Sequence, residues 1–104
     1  MEISVDKVNS LFGARLSSLR RSRGITQSEL AEKLGVSRTT IANLERGVQN
    51  VQLHQVFTFA RALDAEPAQL IPTWREIAPD IVRPDDQFLE FVRQTLLDLP
   101  KEAQ

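Results

Sequence analysis

The stretch TQSELAEKLGVSRTTIANLER, residues 26–46, constrains this chain more than any other. It reads as two short helices joined by a tight turn. Thr26 is placed to cap the first helix, and Glu29, three residues on, completes a capping box. Ile25 and Leu30 occupy the positions of a hydrophobic staple. Ser37 can cap the second helix, with Val36 and Ile41 as its staple. Gly35 lies between them, where a helix ending in a left-handed residue wants glycine. Leu30, Ala31, Leu34, Ile41 and Leu44 recur at three- and four-residue spacings and share an inward face. Ala31 is small where two steeply crossing helices must come close.

At 104 residues the chain is one domain with room for an appendage. A hydrophobic share of 41% and a charged share of 26% are those of an ordinary globular protein. The chain has no Cys, which removes disulfides, thiolate metal sites and a Cys nucleophile and fits a reducing cytoplasm. No apolar run has the length of a membrane span, and the segment MEISVDKVNS lacks the basic-then-apolar layout of a signal peptide. The net charge of −1 is divided unevenly. Residues 1–50 hold eight Lys/Arg against five Asp/Glu, and residues 51–104 hold five against nine. A basic front and an acidic back suit a protein with one face toward an anionic partner, though chance gives small proteins as much.

Taken in order, residues 1–6 are expected to fray. From 7 to 23, Val8, Leu11, Phe12, Leu16 and Leu19 fit one helical face. Arg20, Arg21 and Arg23 crowd its last turn, where the helix dipole favours cations, with Arg21 and Arg23 also candidates for phosphate contact, and Gly24 suits the position after it. After the paired helices Gly47 ends the third helix. A fourth spans about 53–63, with Leu53, Val56, Phe57, Ala60 and Leu63 as its buried stripe. His54 lies off that stripe and reads as a surface residue, since one His without Cys makes no metal site. Pro67 opens a short fifth helix, with Leu70 and Ile71 closing the core. Residues 72–84 contain three prolines and cannot form one continuous helix. Trp74, Ile77, Ile81 and Val82 are too apolar for a free linker, so this connector should lie over the core or over a second subunit. Asp85 can cap a last amphipathic helix, 85–99, whose apolar face holds Phe88, Leu89, Phe91, Val92, Leu96 and Leu99. That face serves either as a sixth helix of the core or, the reading favoured here, as a dimer seam through Phe88, Phe91, Val92 and Leu96.

The residues Thr26, Gln27, Leu30, Ala31, Gly35, Val36, Ser37, Ile41, Glu45 and Gly47 stand in the pattern TQ-x-x-LA-x-x-x-G-[VI]-S-x-x-x-I-x-x-x-E-x-G. In this the chain resembles the helix-turn-helix of phage repressors and Cro proteins, the XRE family, and the resemblance extends from about Leu11 to Ile71. It implies an all-α fold: a five-helix phage-repressor-like helix-turn-helix domain over 7–71, with the motif at 26–46, followed by the connector and the C-terminal helix. It implies a sequence-specific double-stranded DNA-binding transcriptional regulator, most simply an autoregulating repressor acting as a homodimer on a near-palindromic operator. Antitoxins and restriction–modification controllers resemble this size and layout, and in those the C-terminal segment would bind a protein partner such as a toxin. In the family an arginine at the position of Arg20 pairs with the glutamate at that of Glu45. The glutamine at the position of Gln27 contacts a phosphate and buttresses the second helix of the motif. The positions of Arg46 and Asn50 grip phosphate beyond it. Val48 and Gln49 stand where many relatives carry Lys or Arg, and Gln52 and Glu66 stand where Ser or Thr usually caps.

With Ile41 and Leu44 inward, Thr39, Ala42, Asn43 and Arg46 point outward, flanked by Arg38 and Thr40. A helix of this width enters the major groove, where base edges offer a unique donor and acceptor code. Asn43 suits adenine, Arg38 suits guanine or a phosphate, and Thr39 and Ala42 suit a thymine methyl. Ser37 and Thr40, near the helix start, suit phosphate oxygens. An enzyme finds little to build with: one His, no Cys, no Gly-rich phosphate loop, and serine and aspartate pairs (Ser17-Ser18, Asp85-Asp86) that read as helix surface and cap. No cofactor and no metal are expected.

Overall fold

The computed structural model describes residues 3–79 and 86–97, and all the regular structure among them is helical. The elements are α1 (Val5–Ser22), α2 (Gln27–Leu34), α3 (Arg38–Glu45), α4 (Leu53–Ala62), a single 3-10 turn (Pro67–Gln69), α5 (Trp74–Ile77) and α6 (Asp86–Leu97). The first helix starts at Val5 rather than fraying through residue 6. Ser4 stops the unwinding, because its hydroxyl accepts the Lys7 amide at 3.2 Å and satisfies one of the orphan donors of the first turn.

Both ends of the central helix pair form as their residues dictate. The Thr26 hydroxyl accepts the Glu29 amide at 3.0 Å, and Glu29 returns the bond from the Thr26 amide at 3.2 Å. Gly35 ends α2 at φ 67°, ψ 30°, a conformation that costs a side-chain-bearing residue energy. Ser37 accepts the Thr40 amide at 3.1 Å and starts α3. Leu30, Ile41 and Leu44 are fully buried, and Ala31 nearly so.

The core joins these residues to Phe12 and Leu16 of α1, to Val56, Phe59 and Ala60 of α4, and to Leu63 and Leu70. The stripe of α4 differs from the expected one. Phe59 is buried, its ring centroid 6.1 Å from that of Phe12, whereas Leu53 is 74% exposed and Phe57 57% exposed. The buried positions 56, 59, 60 and 63 centre the stripe between them. Phe57 then lies about a quarter-turn away, and Leu53 belongs to the first turn, at the edge of the core. The fifth helix is only the 3-10 turn. It buries Leu70 but leaves Ile71 on the surface, so Ile71 does not close the core.

Part of the connector does lie over the core. Thr73 caps the one-turn α5 by exchanging hydrogen bonds with Glu76. Arg15 of α1 holds that turn down, donating to the Glu76 carboxylate and, at 3.1 Å, to the Gln69 carbonyl. Ala78 is buried beneath, while Trp74 stays exposed. Ile81, Val82, Asp85 and Leu99, and the side chains of Phe88 and Leu89, lie outside the described residues.

Candidate nucleic-acid interface

Helix α3 is presented by a tight seat. Gly13 is buried in α1, and a Cβ built on it would sit 2.4 Å from the Leu44 carbonyl oxygen and 2.5 Å from that of Glu45. The two helices therefore cross with backbone against backbone at the C-terminal end of α3. With Ile41 and Leu44 turned fully inward, Arg38, Thr39 and Arg46 are exposed, and Thr40, Ala42 and Asn43 are half-buried on the outer side. The face expected to point outward does so.

A buried ion pair fixes the other coordinate of α3. Arg20 donates through Nε to Glu45 Oε2 at 2.6 Å and through Nη2 to Oε1 at 3.1 Å, and its Nη1 reaches the Ile25 carbonyl at 2.9 Å. The two side chains are only 9% and 6% exposed. Burial alone pushes the Glu45 carboxyl up, but hydrogen bonds from Arg20 and Gln27 and the Arg20 charge outweigh it and hold the group below the usual carboxylate range. The hydrogen bond to Glu45 likewise raises Arg20. The pairing expected of these two residues is present, bidentate and shielded from water.

Gln27 extends this arrangement to the start of α3. Its Nε2 donates to Glu45 Oε1 at 3.0 Å, and its Oε1 accepts from Arg38 Nη1 at 2.8 Å. Arg38 is thus drawn toward the start of α2. A concavity there is lined by Arg21, Gln27, Ser28 and Arg38, among others. The hydroxyls of Ser37 and Thr40 lie 2.9 Å apart at the N-terminus of α3. Arg23, one of the last-turn arginines, is committed elsewhere: it donates to the Leu63 and Asp64 carbonyls at 2.7 and 3.1 Å, closing the end of α4. Asn50 is exposed and accepts from Asn9 Nδ2 at 2.7 Å. Asn9 and Gly13 are the residues that sequence reasoning passed over. Both lie on the apolar stripe of α1, and a polar side chain and a glycine at stripe positions were the available signals.

Among the described residues no group of three or more His, Cys, Asp or Glu could hold a metal ion. No helix among them is long and apolar enough to cross a membrane.

Comparison with known proteins converges on this motif. The sequence profile of the family described as "Helix-turn-helix" (HTH_3) matches residues 16–70. Control protein C.BamHI of Bacillus amyloliquefaciens is 31% identical over 67 residues, 64% of this chain and 83% of that protein. Antitoxin HipB of Escherichia coli is 39% identical over 46 residues, 44% of this chain and 49% of that protein. Among solved structures, the restriction-modification controller protein C.AhdI of Aeromonas hydrophila superposes with a TM-score of 0.57 at 40% identity, covering 60% of this chain and 94% of that one.

Proposed function

The chain belongs to the helix-turn-helix family, as a DNA-binding transcriptional regulator of the XRE type, and on that premise we propose that it is an autoregulating repressor. It binds as a homodimer to a near-palindromic operator, with α3 as the recognition helix in the major groove. The observation that carries this reading is the outward face of Arg38, Thr39 and Asn43 on a helix whose other side is fixed by Gly13 and Glu45. Asn43 and Arg38 read base edges, with Thr39 beside them. Gln27, Ser37, Thr40, Arg46 and Asn50 hold the phosphate backbone and set the register. The site of action is the cytoplasm, and no cofactor takes part.

Asn43→Ala is expected to lower affinity for the operator about tenfold and to relax the preference at a single base pair, since a bidentate base contact is worth ~1–3 kcal/mol. Gel-shift titration against the operator and its single-base variants measures both. Unchanged affinity would remove Asn43 as a reader.

Dimerisation is assigned to α6. Phe91 is 68% exposed and Leu96 59% exposed, and Val92 between them is exposed as well. These three residues give an apolar face that a second copy covers, and Phe88, the fourth residue of the proposed seam, has its side chain outside the described residues. Two such dimer-related α3 helices enter successive major grooves about 34 Å apart. The double substitution Phe91→Asp, Leu96→Asp is expected to give a monomer by sedimentation equilibrium with the helical fold retained. A persistent dimer would move the seam to the exposed Leu53 and Phe57 of α4.

A second reading is supported by the likeness to C.AhdI, C.BamHI and HipB. In it the chain is a restriction–modification controller or antitoxin whose residues 72–104 bind a protein partner. Deleting those residues separates the two readings. The first expects loss of the dimer, the second loss of partner binding with the oligomeric state unchanged.

A further inference from the structure

Among the described residues, one buried polar side chain lies outside the segment matched by the family profile. Asn9 is 8% exposed and shares the inner face of α1 with Phe12, Gly13, Leu16 and Arg20. A polar group on such a stripe needs a partner, because burying an amide without a hydrogen bond is costly. The partner is supplied by the way α1 covers the chain as it leaves α3. Gly13 rests on the last carbonyls of α3, and Gly47 abuts the preceding turn of α1, where a Cβ would come within 2.6 Å of the Ser10 Cα. Asn9, beside Ser10, is thereby brought against the loop after Gly47. There its Nδ2 donates to Asn50 Oδ1 at 2.7 Å.

The chemistry of the amide gives this bond a consequence. An asparagine side chain has one acceptor end and one donor end. With Oδ1 turned in to Asn9, Asn50 turns its NH2 outward. A phosphate oxygen accepts hydrogen bonds and does not donate them. An unanchored Asn50 would spend part of its time with its carbonyl oxygen toward the phosphate. We propose that Asn9 is a positioning residue for the DNA interface: its hydrogen bond restrains the Asn50 amide with Oδ1 turned in, so that the loop after the recognition helix presents N–H donors to the DNA backbone. This rests on the phosphate-contact reading of Asn50, and it extends the interface to the first half of α1.

The test is a double-substitution cycle on the full-length protein. Its probes are a duplex carrying the DNA that flanks the protein's own gene and a scrambled duplex of the same composition. Circular dichroism checks the fold of each variant. Asn50→Ala is expected to lower affinity for both duplexes about tenfold, the cost of one hydrogen bond to a charged acceptor. Asn9→Leu lowers both by a smaller factor, about two- to threefold, because the freed amide still turns its NH2 to the phosphate part of the time. Its salt dependence stays that of the wild type, because a neutral amide releases no counterion. In the Asn50→Ala background Asn9→Leu has no further effect. Asn9→Asp carries the test if Asn9→Leu does not fold. Its carboxylate only accepts, so Asn50 must turn its NH2 inward, and the affinity loss again shrinks in the Asn50→Ala background. The proposal is overturned if Asn9→Leu binds as the wild type does, if its loss is equal in both backgrounds, or if Asn50→Ala itself binds normally. Failure of the wild type on both duplexes overturns the proposal together with the regulator reading.

Discussion

Gly13→Ala destabilises this protein by about 3 kcal/mol or more, at the upper end of the cost of overpacking a core, and lowers Tm by on the order of 15 °C for a domain of this size. The sign is the informative part. Inside an exposed helix the same change is stabilising, by roughly 0.5–1 kcal/mol, because alanine loses less backbone entropy than glycine. Here the added methyl meets the Leu44 and Glu45 carbonyl oxygens at 2.4 and 2.5 Å, and these are backbone atoms that no rotamer change can move aside. Relief requires α3 to separate from α1, which also shifts the DNA-facing side chains. Thermal unfolding followed by circular dichroism gives the result. An unchanged or higher Tm would mean that α1 and α3 do not cross as closely as described.

Arg20→Ala is expected to cost about 3 kcal/mol at neutral pH, because it leaves the Glu45 carboxylate buried without its charge partner. The pH dependence of the loss tests its cause. In the intact protein Glu45 titrates below the ordinary carboxylate range. Its contribution to stability is therefore present above the unfolded-state pKa and is lost as the pH falls through the depressed folded value. With Arg20 gone, its hydrogen bond and its charge no longer offset burial, and the folded pKa of Glu45 rises relative to that of the intact protein. The penalty is then present at neutral pH and relieved as the pH falls through that raised value. The stability gap between wild type and variant should narrow in acid. A gap that stays constant with pH would assign the loss to packing of the Arg20 stem rather than to the ion pair.

The two helices of the motif were legible because their signals are local. Thr26, Glu29, Gly35 and Ser37 cap or end helices within four residues of themselves, and the structure makes each of those bonds or angles. The pairing of Arg20 with Glu45 came from the resemblance rather than from spacing, since the two are 25 residues apart. What was misjudged depended on where neighbouring elements stop. Phe57 and Ile71 are apolar residues beside a buried stripe, yet they stand 57% and 45% exposed, and no signal local to either residue distinguishes that from burial. Gly13 and Asn9 carry no local turn or cap signal. Their significance lies in backbone and loop atoms more than thirty residues away in sequence.

The most direct measurement is a gel-shift titration of the purified protein on the DNA flanking its own gene, at two salt concentrations, against scrambled DNA of the same composition. The expected result is a discrete, salt-sensitive complex that scrambled DNA does not displace, with a footprint of two symmetric half-sites one helical turn apart. Equal affinity for both DNAs at both salt concentrations, or no complex with either, would contradict it.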